Sequence, residues 1–211
     1  VHLCMAPTSS ITFPVSSSDT TVGTVSTSTL SYSTDNWSTA QTVTVFGVDD
    51  TLSDDNQAFS VTFGPVTSSD VNYAGKNPDD VSVTNVDNET ASITVSALSG
   101  NTTEMGGTAT FTVVLDNQPT SDVSIAVSSS DTSEATISPS SLTFGSSNYS
   151  TLQTVTVTGV DDFYDDDNVS YTITVDPSSS ITSYNTMTSS TVTGYNIDND
   201  TAAIAVGAKS G

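Results

Sequence analysis

The chain has 211 residues, 24 of them Asp or Glu, and its formal charge is −22 because Lys76 and Lys209 are the only Lys or Arg residues. Such a chain has almost nothing to neutralise phosphates, which excludes nucleic acid as a partner and disfavours anionic membrane surfaces. No run approaches the roughly 18 apolar residues of a membrane-spanning helix, and the single cysteine, Cys4, allows no intrachain disulfide.

The sequence repeats itself over a long period. Residues 1–50 align without a gap onto 113–162 with 27 of 50 positions identical, and 85–100 recurs as 196–211. A period of this length corresponds to one whole domain per repeat. We therefore predict a slice of a tandem array with three parts: 1–90, a first repeat that lacks its opening strand; 91–201, a complete second repeat; and 202–211, the opening strand of a third.

Apolar and polar residues alternate with period two in most of the complete repeat, which predicts half-buried strands. Clusters of turn residues such as DNQPTS and SSSDTS separate the runs. Seven strands in about 110 residues is the size of an antiparallel Greek-key sandwich. The predicted fold class is therefore all-β, as tandem seven-stranded, Ig-like sandwiches without a helix. The predicted strands are 91–97, 108–115, 122–127, 141–144, 152–160, 169–175 and 191–197.

The acidic residues of the complete repeat gather in four segments. Three are the loops after the first, third and fifth strands, and the fourth is the chain exit after the seventh. Strands run between the two ends of a sandwich, so these four segments should lie at one pole. They contain Glu104; Asp131 and Glu134; Asp161, Asp162, Asp165, Asp166 and Asp167; and Asp198 with Asp200.

This concentration of charge favours a metal ion. Two carboxylates about 4 Å apart repel by roughly 4 kcal/mol at an effective dielectric near 20, and a domain has only about 5 to 15 kcal/mol of stability. Calcium binds six to eight oxygen ligands, whereas zinc is disfavoured because the segments lack His and Cys. A solvated acidic loop is the alternative for a single Asp run. Recurrence in the first repeat favours the ion, at Asp19, Asp49, Asp50, Asp54, Asp55, Asp87 and Glu89.

The order of these residues resembles the Calx-β repeat: Glu after the first strand, an acidic residue after the third, G-V-D-D-x-x-x-D-D, and D-N-D-T-A at the exit. Many copies of that family occur in large bacterial surface proteins. The resemblance implies a seven-strand sandwich that binds Ca²⁺ between carboxylates and the linker to the next domain. The implied ligands are Glu104, Asp131, Asp161, Asp162, Asp166, Asp198 and Asp200, with Asp19, Asp49, Asp50, Asp54, Asp87 and Glu89 in the first repeat.

Two departures from the family pattern predict fewer or weaker ion sites. Val169 and Gln57 stand where the family often has a further Glu, and Asn88 and Asn199 stand where exchanger domains have Asp.

The resulting functional expectation is a calcium-stiffened structural spacer or fibre element of an extracellular adhesin or surface appendage. The complete repeat contains no His, so it offers no Ser-His-Asp arrangement and we expect no enzyme. The alternative is a recognition module that binds glycan or a protein through its loops. The expected partners are neighbouring repeats, and also neighbouring subunits by strand complementation, because 202–211 matches the strand that the first repeat lacks.

Overall fold

The computed structural model describes residues 1–207, and strands form most of its regular structure. Side chains alternate between buried and solvent-facing along strands such as Thr108–Leu115, as the period-two pattern predicts. The helix Thr182–Asn185 is a single turn, and no helix in the described part of the chain is long and apolar enough to cross a membrane. The predicted all-β class is confirmed.

The structure contains every strand that the sequence predicts for the complete repeat, and further short strands that it does not predict. All seven predicted strands of the complete repeat are present, although 91–97 is shortened to Ile93–Val95. Ala135–Ser138 was missed because this short run lies between turn-forming Ser and Pro residues. The strands in chain order are β1 (Ile11–Ser17), β2 (Gly23–Val25), β3 (Thr29–Tyr32), β4 (Val45–Gly47), β5 (Leu52–Ser53), β6 (Gln57–Phe63), β7 (Thr67–Ser68), β8 (Val81–Asn85), β9 (Ile93–Val95), β10 (Thr102–Thr103), β11 (Thr108–Leu115), β12 (Gln118–Pro119), β13 (Val123–Ser129), β14 (Ala135–Ser138), β15 (Ser141–Phe144), β16 (Gln153–Gly159), β17 (Val169–Ser179) and β18 (Ser190–Ile197), with α1 (Thr182–Asn185) between the last two.

The chain divides into two compact units. The first comprises Val1–Asp50 and Asp55–Asn88, and the second comprises Thr51–Asp54 and the residues from Glu89 onward. The division after Asn88 lies two residues before the predicted boundary. The repeat pattern does not predict that Thr51–Asp54 belongs to the second unit. The end of the predicted third-repeat strand, residues 208–211, lies outside the described residues.

The second unit has two main sheets that enclose one apolar core. One sheet has the order β10-β18-β17-β13-β15, and the other has the order β14-β16-β11-β9. Side chains from both sheets, among them Phe111 and Val155 from one and Ile125 and Ile173 from the other, lie in a single buried cluster. The sandwich places the loops after β13 and β16, the segment after β10 and the exit after β18 where their acidic residues can meet.

In the first unit, β1, β3 and β6 correspond to β13, β15 and β17 of the second unit, but the second sheet is smaller. Its main sheet runs β3-β1-β6-β8 with β7 beside β1, while β2 and β4 form a separate pair. By the repeat alignment, β2 and β4 correspond to β14 and β16, so counterparts of a full β11 and of β9 are absent from the described first unit. Accordingly, Val43 and Val45 are half-buried, whereas their counterparts Val155 and Val157 are fully buried.

Candidate metal centre

A first group of carboxylates joins Glu104 to the chain exit of the second unit. Oxygen atoms of Glu104, Asp198 and Asp200 lie within 4.8 Å of one another. The parallel pairing of β10 with β18, with Thr102 opposite Asn196, places Glu104 beside the exit. The Glu104 side chain is only 2% exposed. The buried position of a charged group requires compensation by a partner of opposite charge or by donors.

Few hydrogen-bond donors face this first group. The backbone N–H of Asn199 donates to Glu104 Oε2 at 3.0 Å, and the N–H of Asp200 donates to Asp198 Oδ1 at 2.7 Å. The Oδ2 atom of Asp200 is buried and accepts no hydrogen bond. A buried carboxylate oxygen without a donor is costly, and a cation would satisfy it.

A second group is formed by Glu134, Asp162 and Asp166, whose oxygens also lie within 4.8 Å of one another. Glu134 precedes β14 and is buried, with 6% of its surface exposed. Its backbone carbonyl accepts from the N–H of Val160 at 3.0 Å. The side-chain amide of Asn196 donates to Glu134 Oε2 at 3.3 Å. The β14 edge, the GVDD loop and β18 together position this group.

In each unit, the glycine of the GVDD motif lies against an asparagine side chain: Gly159 against Asn196, and Gly47 against Asn85. Asn196 Nδ2 donates to the carbonyl of Val160 at 2.8 Å, and Asn85 Nδ2 donates to that of Val48 at 2.8 Å. A Cβ atom at Gly159 would lie 2.4 Å from Asn196 Oδ1, and one at Gly47 would lie 2.3 Å from Asn85 Oδ1. Only a residue without a side chain permits this approach. The glycine and the asparagine together therefore hold the backbone in place where the acidic loop begins.

Four carboxyl groups in these two groups have raised pKa values. The N–H of Asn199 lowers the pKa of Glu104, but burial and the carboxylate of Asp198 outweigh it and raise that pKa above its ordinary value. Burial raises the pKa of Glu134 despite the hydrogen bond from Asn196, and Asp166 and other nearby carboxylates raise it further.

Burial and neighbouring carboxylates also raise the pKa values of Asp166 in the second group and Asp200 in the first. Desolvation, followed by the negative charges of Asp162 and Asp198, raises the pKa of Asp166. Desolvation and then Asp198 raise the pKa of Asp200. Both groups therefore hold more negative charge than the fold alone stabilises, which is the electrostatic condition that favours binding of a cation.

Two other predicted ligands of the second unit lie outside both groups. Asp131 Oδ1 accepts from the N–H of Ser133 at 2.9 Å and from the Ser133 hydroxyl. The Ser133 hydroxyl, then its N–H, hold the pKa of Asp131 below its ordinary value. Asp161 accepts from Asn199 Nδ2 at 3.0 Å and lines, with Glu104, an open cleft of about 520 Å³. Asp131 thus stabilises its own turn, while Asp161 borders the first group.

Two hydrogen bonds from backbone N–H groups connect the acidic loop to the chain exit. The N–H of Ala202 donates to Asp165 Oδ2 at 2.7 Å, and the N–H of Asp167 donates to Asp198 Oδ2 at 3.1 Å. Asp167 has a left-handed backbone with φ of 64°, and its counterpart Asp55 has a φ of 63°. The loop and the exit of the second unit are thereby joined, as the prediction of a common acidic pole requires.

Neither group contains a predicted ligand of the first repeat. Asp19 repeats the turn of Asp131, since its Oδ1 accepts from the N–H and hydroxyl of Thr21 at 2.9 and 2.6 Å. Val22 stands at the position of Glu134, and the described first unit has no counterpart of Glu104. Of the two buried glutamates, Glu134 is thus replaced by Val22, and the position equivalent to Glu104 falls before residue 1. Its other predicted ligands are Asp49, Asp50, Asp54, Asp87 and Glu89.

Sequence reasoning placed Glu134 at the acidic pole but did not choose it as a ligand, and it did not single out Asn196. Two signals were available. Asn196 is identical to Asn85 and begins the segment 196–211 that recurs from 85–100. Glu134 stands one residue before a strand that the alternation pattern missed, so its burial could not be recognised.

The donor set suits a hard divalent cation. All members of both groups are carboxylates, and calcium binds oxygen at about 2.3–2.6 Å. Two oxygens on one such ion can therefore lie up to about 5 Å apart, a limit that the 4.8 Å spacing satisfies. Glu104, Asp198 and Asp200 would hold one ion, and Glu134, Asp162 and Asp166 would hold another.

No protein-family model and no curated protein matches this chain. Among solved structures, the S-layer protein rSbsC(31-844) is similar at 19% identity with a TM-score of 0.39, covering 88% of this chain and 20% of that one. Domains 1–6 of the surface layer protein SbsC are similar at 18% identity with a TM-score of 0.38, covering 92% and 20%. The chain spans about a fifth of the length of either match. At these TM-scores, neither match decides the fold or the function of this chain.

Proposed function

We propose that this chain is a calcium-stabilised all-β repeat module that serves as a structural spacer in a protein of the cell surface. The observation that carries the proposal is the pair of three-carboxylate groups in the second unit, each built around a buried glutamate. The order of acidic residues along the chain, which resembles the Calx-β repeat, supports calcium as the ion and the cell surface as the location.

The proposed role of the ion is mechanical. Glu104 directly follows β10 in the body of the unit, whereas Asp198 and Asp200 belong to the exit after β18. One ion would therefore hold the exit segment against the body of the unit. Bound calcium supplies two positive charges among these side chains. At free calcium 1,000 times the dissociation constant, one site adds about 4 kcal/mol to the free energy of unfolding. The chain leaving the unit would then be held in a fixed direction.

Thermal unfolding of the 211-residue chain in calcium and in excess chelator tests this function. We expect a higher Tm in millimolar calcium, because the ion binds only the folded arrangement of carboxylates. Isothermal titration calorimetry on the same sample should give about two sites per chain, one for each group. Magnesium should bind more weakly because it demands near-ideal octahedral geometry.

The neutral variant Glu104→Gln provides the matched comparison. It should lose one of the two calcium sites, while Asp122→Asn removes an exposed carboxylate outside both groups and should retain both. Equal Tm values in calcium and in chelator for the wild-type chain would refute the calcium proposal. Equal loss of calcium binding in the two variants would show that the ions bind the acidic surface in general.

A further inference from the structure

Three buried, uncharged polar side chains form a chain of hydrogen bonds that ends at the second carboxylate group. They are Tyr171, Thr102 and Asn196, and all three are almost completely buried. The Thr102 hydroxyl lies 3.2 Å from the Tyr171 hydroxyl and 3.1 Å from Asn196 Oδ1. Asn196 Nδ2 in turn donates to Glu134 Oε2 at 3.3 Å. These contacts connect the Tyr171 hydroxyl, through two side chains, to the buried glutamate.

The Asn196 amide holds Glu134 in only one of its two orientations. Its nitrogen donates to the carbonyl of Val160 at 2.8 Å as well as to the glutamate, and an amide nitrogen has two protons to give. If the amide were turned end for end, its oxygen would face these two acceptors and bind neither. The Thr102 hydroxyl, which donates to Asn196 Oδ1, selects the productive orientation.

The Tyr171 hydroxyl controls the direction in which Thr102 donates. A hydroxyl has a single proton, and three acceptors surround that of Thr102: Asn196 Oδ1, the carbonyl of Tyr195 at 3.2 Å, and the Tyr171 oxygen. Among the described residues, the Tyr171 hydroxyl has Thr102 as its one hydrogen-bond partner. A buried hydroxyl that donates to nothing is costly, so Tyr171 donates to Thr102 and leaves the Thr102 proton for the other acceptors.

A glycine opposite Tyr171 leaves room for the phenol ring to reach Thr102. Tyr171 in β17 pairs with Gly194 in β18. A Cβ atom at position 194 would lie 2.6 Å from the Tyr171 hydroxyl oxygen and 2.7 Å from its Cζ atom. Any larger residue at this position would therefore displace the ring. The position of the hydroxyl thus depends on a residue that contacts no carboxylate.

The first unit has apolar residues at the equivalent positions. Phe59 and Val83 form the cross-strand pair that corresponds to the tyrosine and the glycine, and Val22 stands in place of Glu134. The end of the Phe59 ring lies against Gly23, where a Cβ atom would be 2.1 Å from Phe59 Cζ. The tyrosine hydroxyl and the buried glutamate therefore occur together in one unit and are replaced together in the other, as a shared role requires.

We propose that Tyr171 is a positioning residue for the second calcium site, a role that rests on the proposed calcium function. Its hydroxyl acts through Thr102 to orient the Asn196 amide, and that amide holds Glu134 beside the other two carboxylates of the group. Tyr171 itself donates to no carboxylate among the described residues. The hydroxyl therefore sets the affinity of the second site without contributing a ligand to it.

Titration calorimetry in a chain with one calcium site tests this role. Glu104→Gln should remove the first site, so the affinity of the second can be measured alone. In this background, Tyr171→Phe should weaken calcium binding by roughly threefold to tenfold, the effect of losing one neutral hydrogen bond. Tyr184→Phe is the matched control, because it removes another fully buried hydroxyl, which donates to the carbonyl of Asn117 at 3.0 Å. It should leave the calcium affinity unchanged.

A double-mutant comparison tests whether Tyr171 acts through Thr102. Thr102→Val keeps the branched shape and removes the hydroxyl, so it should weaken the second site at least as much as Tyr171→Phe does. Adding Tyr171→Phe to Thr102→Val should then have no further effect on calcium affinity. Thr102→Ser retains the hydroxyl and should retain most of the affinity. Additive losses in the double variant would overturn the proposed route through Thr102.

A metal-free measurement follows the amide directly. In NMR spectra recorded in chelator, the side-chain amide protons of Asn196 should exchange with solvent faster in Tyr171→Phe than in the wild-type chain or in Tyr184→Phe. Unchanged exchange in Tyr171→Phe would overturn the positioning role. So would calcium binding that Tyr171→Phe leaves unchanged, or that both tyrosine variants weaken equally. A wild-type chain that binds no calcium would instead refute the calcium function itself, so the two failures are distinguishable.

Discussion

The side-chain amide of Asn196 lies 3.3 Å from Glu134 Oε2, although 62 positions separate the two residues in sequence. Both are buried. The same amide donates to the carbonyl of Val160, and the Asn196 Oδ1 atom accepts from the hydroxyl of Thr102 at 3.1 Å. A single asparagine therefore links β10, β18, the GVDD loop and the buried glutamate of the second carboxylate group.

Replacing Glu134 by Gln should raise the stability of the chain in chelator and lower it in calcium. In chelator at pH 7 the variant should be more stable than the wild-type chain, because a buried carboxylate among like charges is neutralised. At calcium 1,000 times the dissociation constant it should lose most of the roughly 4 kcal/mol that one site supplies. Calorimetric scans of the variant and the wild-type chain, each in chelator and in calcium, measure this reversal in relative stability. Lower stability than the wild-type chain in both conditions would show that Glu134 is structural.

The pH dependence of stability should have opposite directions in chelator and in calcium. Four carboxyl groups, those of Glu104, Glu134, Asp166 and Asp200, have raised pKa values in the folded chain. Without metal the folded state binds more protons than the unfolded state, so stability falls as pH rises from the ordinary carboxyl values, about 4, through these raised values.

Acidification from pH 7 towards pH 5 should therefore raise the Tm in chelator and lower it in calcium, because the metal needs deprotonated ligands. The lowered pKa values of Asp19, Asp70 and Asp131 act only below their ordinary values of about 3.9 and leave this window unaffected. A Tm that changes with pH in the same direction under both conditions would contradict the expectation. The Glu134→Gln variant should show a weaker dependence in chelator.

Asp131→Asn separates a turn-forming carboxylate from a metal ligand. We expect a small drop in Tm of equal size in calcium and in chelator, because the charge-assisted bonds from Ser133 are weakened in both. Asp19→Asn, in the equivalent turn of the first unit, should behave in the same way. A drop confined to calcium would instead make Asp131 a ligand, as its place in the order of acidic residues implies.

Asn196→Ala and Asn85→Ala form a matched pair across the two units. Each leaves a carbonyl, of Val160 or Val48, without its donor, which costs about 1–3 kcal/mol for a buried acceptor. Only Asn196 also contacts a buried glutamate. Calcium binding measured by titration calorimetry should weaken in the Asn196 variant and remain unchanged in the Asn85 variant. Equal effects on calcium affinity would exclude a positioning role for Asn196.

The sequence by itself determined the all-β class and the positions of the seven main strands. Alternation of period two reflects the geometry of a strand with one buried face, and that geometry is local. The repeat also revealed the acidic pole, because loops after alternate strands of a sandwich share one end. Glu104, Asp162, Asp166, Asp198 and Asp200 were predicted on that basis together with the family resemblance, and the structure brings all five into the two carboxylate groups.

Only the tertiary structure decided which carboxylates converge. Asp131 and Glu134 stand three residues apart in one loop, and composition does not distinguish them. The turn around Ser133 holds Asp131, while β14 pairs with β16 and carries Glu134 inward to Asn196. The assignment of Thr51–Asp54 to the second unit likewise depends on the pairing of β5 with β12. Burial and long-range pairing arise from packing, which a local pattern of residues does not encode.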